Sequence, residues 1–126
     1  MGHAVYAEGG VDMNRNIQCP FDDIEQVLSF DPYKVYGEKN REQLIRDFDE
    51  NYDALCAGHP DQVNMTGIYV TMISGLIEIF GWDWLLEGLG EDPERFGEVA
   101  DRYADWIYQY FDAPAASKAP VVMIHD

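Results

Sequence analysis

Apolar residues recur along this chain with helical spacing in some stretches and as short unbroken runs in others. Leu44, Ile45, Phe48, Tyr52 and Leu55 fall three or four residues apart and share one face of a helix. Asn40 stands in front as a cap, with Gln43 three residues on as in a capping box. Gly58 and Pro60 are expected to stop this helix, Gly58 as a left-handed C-terminal residue and Pro60 as a breaker. Glu42, Arg46, Asp47, Asp49, Glu50 and Asp53 make its solvated face. A second helical stretch, Tyr69–Phe80, carries the stripe Met72, Ile73, Leu76, Ile77 and Phe80, and Gly81 ends it. Trp82, Leu85, Leu86 and Leu89 mark a short helix that Gly90 ends. Asp92 caps the longest helix, with Pro93 at its first position and Glu94 in its first turn. From Pro93 to Asp112 the residues Phe96, Val99, Ala100, Tyr103, Trp106, Ile107, Tyr110 and Phe111 repeat every three or four positions. The expected role of that stripe is core.

The unbroken runs read as strands. Val63–Ile68 is one, with Thr66-Gly67 allowing a turn and a close backbone approach. Val121–Ile124 is the other; it lacks polar alternation and is expected to be covered on both faces. Ala4–Glu8 and Val11–Ile17 flank Gly9-Gly10 and suggest a hairpin. Asp22-Asp23 before Ile24, Val27 and Leu28 suits a short helix with an acidic start. Asp31-Pro32 with Gly37, and Pro114–Lys118, read as loops. Strand, helix, helix, strand over Gln62–Asp126 is the unit of a βα-barrel or a doubly wound sheet. The expected fold class is α/β: a partial TIM-type βα barrel. In it, a hairpin, loop and helix at 4–61 precede a βααβ unit at 62–126.

Composition narrows the function. The 126 residues are 47% hydrophobic and 13% aromatic, enough for one domain with a core. There are 24 acidic against 8 basic residues, a net charge of −16. That argues against nucleic-acid partners, which need a Lys/Arg surface, and against anionic membrane surfaces. Acidic residues are spread along the chain, as on a solvated surface. Met65–Trp84 is the nearest approach to a membrane span, and Glu78 and Asp83 interrupt it. Cys19 and Cys56 are not spaced as a metal or redox motif, and no apolar segment follows a basic N-terminal region. A cytoplasmic protein with free thiols is the expectation.

The run Gly81–Trp106, Gly-Trp-Asp-Trp-Leu-Leu-Glu-Gly-Leu-Gly-Glu-Asp-Pro-Glu-Arg-Phe-Gly-Glu-Val-Ala-Asp-Arg-Tyr-Ala-Asp-Trp, resembles the uroporphyrinogen decarboxylase superfamily. That family has an aromatic–acidic–aromatic–leucine segment after a glycine, then an acidic-Asp-Pro-Glu helix start, then a strand ending in an acidic residue. Gly67-Ile68-Tyr69-Val70-Thr71 is similar to its turn after a barrel strand, and Val121–Asp126 to the strand whose end faces substrate. The resemblance covers residues 62–126 and is weak over 4–61. It implies a TIM-type barrel, which needs ~250 residues, so the chain is expected to be a fragment of a larger barrel and inactive alone. It implies either a decarboxylase of tetrapyrrole carboxylates or a methyltransferase working with a corrinoid protein, often with zinc. The decarboxylases' N-terminal arginine and aspartate motif is missing. Anchored on Thr71 and Glu78, Gly75 stands where they have a tyrosine. The methyltransferases' zinc ligands would lie beyond Asp126.

His125 and Asp126 end the last strand, where barrel active sites lie. A carboxylate there can orient a substrate nitrogen or a proton relay, and a histidine titrates near neutral pH. The alternative is that both stand in solvent. Thr66, Tyr69 and Thr71 flank the other strand end, where a phenol can hydrogen-bond a substrate carboxylate. A ring in the core with its hydroxyl in water is the competing reading. His59, between Gly58 and Pro60, reads as a surface residue. His59, His125 and Asp126 have no metal-site spacing, so no resident metal is expected in the chain itself. The partners expected are a small-molecule substrate in the intact parent and a second copy of the chain. An apolar terminal strand and the stripe through Tyr103, Trp106, Tyr110 and Phe111 would otherwise lack cover, which favours a homo-oligomer. A non-catalytic, self-associating α/β module is the remaining alternative.

Overall fold

Helix start and stop signals place most of the secondary structure. The computed structural model describes residues 4–7 and 10–13 as backbone, and residues 20–70 and 72–125 with side chains. The chain is mostly helical with two short parallel strands. Its order is β1 (Ala4–Ala7), β2 (Gly10–Met13), α1 (Ile24–Leu28), α2 (Pro32–Tyr36), α3 (Arg41–Gly58), β3 (Thr66–Ile68), α4 (Met72–Glu91), α5 (Pro93–Ala115) and β4 (Val122–Ile124). Among the described residues no helix is long and apolar enough to cross a membrane.

Three caps are side-chain oxygens taking the amide three residues on. Asp23 accepts from the Gln26 amide at 2.9 Å, Asn40 from Gln43 at 2.9 Å, and Asp92 from Arg95 at 3.0 Å. Asn40 makes only half of the expected capping box, because the Gln43 amide group turns to Asp47. α3 also ends differently from the expectation. Gly58 is still helical, His59 is the C-cap at φ −136°, and the left-handed glycines among the described residues are Gly37 and Gly81. Asp31-Pro32 and Gly37 bound a helix, α2, and not a loop: Asp31 caps the Tyr33 amide at 3.0 Å and Pro32 takes the first turn. α5 runs past Asp112, with Pro114 inside its last turn.

The chain divides into two units, Met1–Phe30 with Ile73–Asp101, and Asp31–Met72 with Arg102–Asp126. In the first, β1 and β2 pair antiparallel with Ala7 opposite Gly10, which bears out the hairpin; residues 14–17 of the expected second strand lie outside the described ones. The core of this unit is a phenylalanine cluster. Phe80 stacks at 5.1 Å on Phe21, 5.2 Å on Phe30 and 5.8 Å on Phe96, with Val27 and Val99 fully buried. Gly81, at φ 68°, breaks α4 directly after Phe80, as its glycine suggested. Gly88 lies so close to Phe96 that a Cβ there would be 2.6 Å from its ring. Arg95 grips Glu25 with two hydrogen bonds of 2.9 Å, which hold the Glu25 carboxyl below its ordinary pKa.

In the second unit the aromatic stripe of α5 is core. Tyr103, Trp106 and Ile107 are buried, and the Trp106 indole donates to the Gly37 carbonyl at 2.8 Å. Tyr36 packs 5.3 Å from Trp106. So Tyr103 and Trp106 find cover within the chain and do not need a second copy, contrary to the expectation. α3 lays its stripe down only half-covered; none of its residues is fully buried.

β3 and β4 pair in parallel, Gly67 opposite Met123, in a two-stranded sheet separate from the hairpin. β3 begins at Thr66, so Thr66-Gly67 is strand and not turn, and Val63 is 80% exposed ahead of it. Val121 and Ile124 are also exposed, so β4 is not covered on both faces. The reason is that a parallel strand needs neighbours or helices on each side, and among the described residues this sheet has two strands.

Thermal or denaturant unfolding tests this layout. Phe80→Ala should cost about 3–5 kcal/mol, because its ring touches three others. Asp92→Ala should cost ~1 kcal/mol through loss of one cap. Equal costs for the two variants would mean that the cluster is not the core.

Candidate functional site

The βααβ order brings the ends of two sequence-distant strands side by side. The Thr66 amide donates to the Val121 carbonyl at 3.1 Å, and the His125 amide to the Ile68 carbonyl at 3.2 Å. These bonds hold β3 and β4 in register along their whole length. Between them Gly67 meets the backbone of Met123, and any Cβ at 67 would overlap the Met123 carbonyl. The close approach anticipated for this glycine is therefore real, although the turn is not.

Parallel pairing puts both C-terminal ends on one edge. There the Tyr69 and His125 rings lie 6.3 Å apart between centroids, tilted 40°, and both side chains are exposed. Tyr69 follows β3 and does not begin a helix, since α4 starts at Met72. A phenol and an imidazole at this distance can engage one small molecule, one as hydrogen-bond donor and the other as proton carrier. Thr66 is not with them. It sits at the opposite end of β3, 4% exposed, with its hydroxyl buried and lacking a hydrogen-bond partner. Thr71 and Asp126 lie outside the described residues.

A second polar group, which sequence reading missed, anchors the approach to β4. The Lys118 amide donates to Asp49 at 2.8 Å, and its ammonium pairs with Asp53, which raises the Lys118 pKa. One turn further along α3, Cys56 accepts from the Asn64 amide group at 3.6 Å. A hydrogen bond with Cys56, followed by desolvation, raises the Tyr52 phenol. Asn64 also donates to the His59 carbonyl at 3.0 Å. Lys118 is more than sixty residues from both Asp49 and Asp53 in sequence, and no local pattern signals the pairing. The Asp53–Lys118 pair is exposed and contributes little stability, ~0–1 kcal/mol. Its effect is positional, because Lys118 leads into β4 and Asn64 into β3.

Among the described residues no three His, Cys, Asp or Glu side chains converge to hold a metal ion. Compared with family models, curated proteins and solved structures, the chain matches none.

Gly67→Ala tests the pairing that builds this edge. It should separate β3 from β4 and abolish the nuclear Overhauser contact between the Tyr69 and His125 rings, while the α5 signals persist. An undiminished ring contact would mean that the strands do not meet at Gly67.

Proposed function

We propose that this chain is part of a uroporphyrinogen decarboxylase-like βα-barrel enzyme, to which it contributes two neighbouring strands and one edge of the substrate site. The observation that carries the reading is the shared C-terminal edge of β3 and β4, with Tyr69 and His125 on it. Barrel enzymes place their reacting groups at that end of the strands, drawn from several of them. Two strands supply a minority of such a site, so the chain alone is catalytically silent. The resemblance of residues 62–126 supports the same reading.

In this mechanism the substrate is a tetrapyrrole carboxylate. Tyr69 donates its phenol proton in a hydrogen bond to a substrate carboxylate and fixes it. His125 carries a proton to or from the reacting carbon as carbon dioxide leaves. Asp126 orients a substrate nitrogen or the imidazole. A group acting as general acid or base contributes typically ~10²–10⁴ in rate. One observation favours a second reading. The buried position 75 on α4 is glycine, beside Ser74, where the decarboxylases have tyrosine. That favours a methyltransferase serving a corrinoid protein, with zinc ligands outside these residues. The uncovered sheet also supports self-association of the isolated chain, through Val63, Val121 and Ile124.

The whole open reading frame that carries these residues, expressed and assayed, tests the proposal. Decarboxylation of a porphyrinogen should be found, and His125→Ala should lower kcat/KM about 10²-fold, with Tyr69→Phe raising KM. Chelator-sensitive methyl transfer in its place would select the second reading. Full activity in both variants would refute the assignment of this edge. For the isolated 126-residue chain, sedimentation should show dimers or larger species at micromolar concentration. Val121→Lys should return it to monomer, and a monomer without that change would contradict the self-association reading.

A further inference from the structure

The second half of α4 presents a ridge that the barrel chemistry does not use. Trp82, Leu86 and Leu89 are 54%, 59% and 45% exposed. At 100° per residue they fall within about 60° of arc on one face. Asp83, Glu87 and Glu91 form a second exposed row, about 130° further round the helix. Leu85 and Gly88 occupy the buried side. On the open surface Asp83 lies nearest the apolar ridge, about 60° round from Leu86, with Glu87 about 100° round.

Among the described residues of this unit, counter-charge is lacking nearby. Residues 72–91 contain no Lys or Arg. In residues 20–30 and 73–101 of this unit the one basic side chain is Arg95, and Glu25 holds it by two hydrogen bonds of 2.9 Å. Asp83, Glu87 and Glu91 have no ion-pair partner among the described residues. Large aromatic and aliphatic side chains in such a setting are anchor residues, and the acidic row sets the sign of what sits beside them.

We propose that this face docks an amphipathic helical segment of another protein, apolar on one side and basic on the other. Helix-on-ridge recognition reads anchors at i, i+4 and i+7, which is the spacing of Trp82, Leu86 and Leu89. Lysines or arginines flanking the partner's apolar stripe then meet Asp83 and Glu87, the acidic residues nearest the ridge. A second copy of this chain fits poorly, because it brings its own acidic row against the first. Anionic membrane surfaces are repelled for the same reason.

The test titrates the 126-residue chain by calorimetry with a synthetic helical peptide of leucine and lysine at helical spacing, and with its leucine–glutamate counterpart. The lysine peptide should bind at one-to-one stoichiometry and more weakly in high salt; the glutamate peptide should not bind. Trp82→Ser and Leu86→Ser leave the net charge unchanged, and each should weaken binding about tenfold. Glu87→Gln should weaken it and flatten the salt dependence. Should a serine variant lose helicity, amide shift mapping on the unaltered chain decides, with perturbations centred on residues 82–91 expected. Unchanged binding in folded serine variants would reduce the interaction to attraction by any acidic surface and overturn the proposal. Shifts centred elsewhere, no binding, or a dimer that shields Trp82 from a soluble quencher would overturn it as well.

Discussion

The parallel contact between β3 and β4 is the constraint on which any site in this chain depends. Hydrogen bonds from the Thr66 and His125 amides close its two ends, and a glycine lets the two backbones touch. Three residues per strand are too few to hold a sheet unaided. The strands are held because their flanks are anchored. Lys118 is tied to Asp49 and Asp53 of α3 just before β4, and Asn64 to Cys56 and the His59 carbonyl just before β3. Tyr69 and His125 come together as a consequence of that anchoring.

The helices carry most of the buried area, and their two cores differ in kind. Around Phe80 the packing is aromatic edge-to-face contact, with glycine at 81 and 88 where side chains would collide or the helix must turn. Around Trp106 the core includes polar closure, since a buried indole needs an acceptor and finds the Gly37 carbonyl. The same glycine ends α2 with φ 71°, so one residue both stops a helix and satisfies a tryptophan. Acidic excess is carried on the outer faces and leaves these cores untouched. What it determines is the kind of partner the surface accepts.

Much of this was legible in the residues. Asp92-Pro93, Asn40 and Asp23 announce helix starts because a capping oxygen is a local device, read within three positions. The stripe from Phe96 to Ile107 announces a core, because burial repeats with the helical period. Gly67 announces close approach, and Gly81 a break. Some readings fail for physical reasons. Asp31-Pro32 looked like a loop, although the same pair read at Asp92-Pro93 as a start; only the length of the following apolar pattern separated them. Gly58 was expected left-handed, but α3 had a free turn left and His59 ended it. Val63 and Ile124 are apolar yet exposed, because hydrophobicity alone does not bury a residue and a two-stranded sheet has too few neighbours to cover them. The Asp53–Lys118 and Asn64–Cys56 contacts had no local signal, because they join segments that meet only in the folded chain. Of the edge itself, Tyr69 and His125 were both named from strand ends, and the structure puts them within 6.3 Å.

Amide hydrogen exchange at Thr66 and His125 measures the central claim most directly. Each amide closes one end of the parallel pair, Thr66 onto Val121 and His125 onto Ile68. Both should exchange far more slowly than the amides of the exposed residues Asp61 and Val63, and both should lose protection together when the pair opens. Exchange of either amide at the rate of an unstructured chain would contradict the pairing, and with it the shared edge on which Tyr69 and His125 stand.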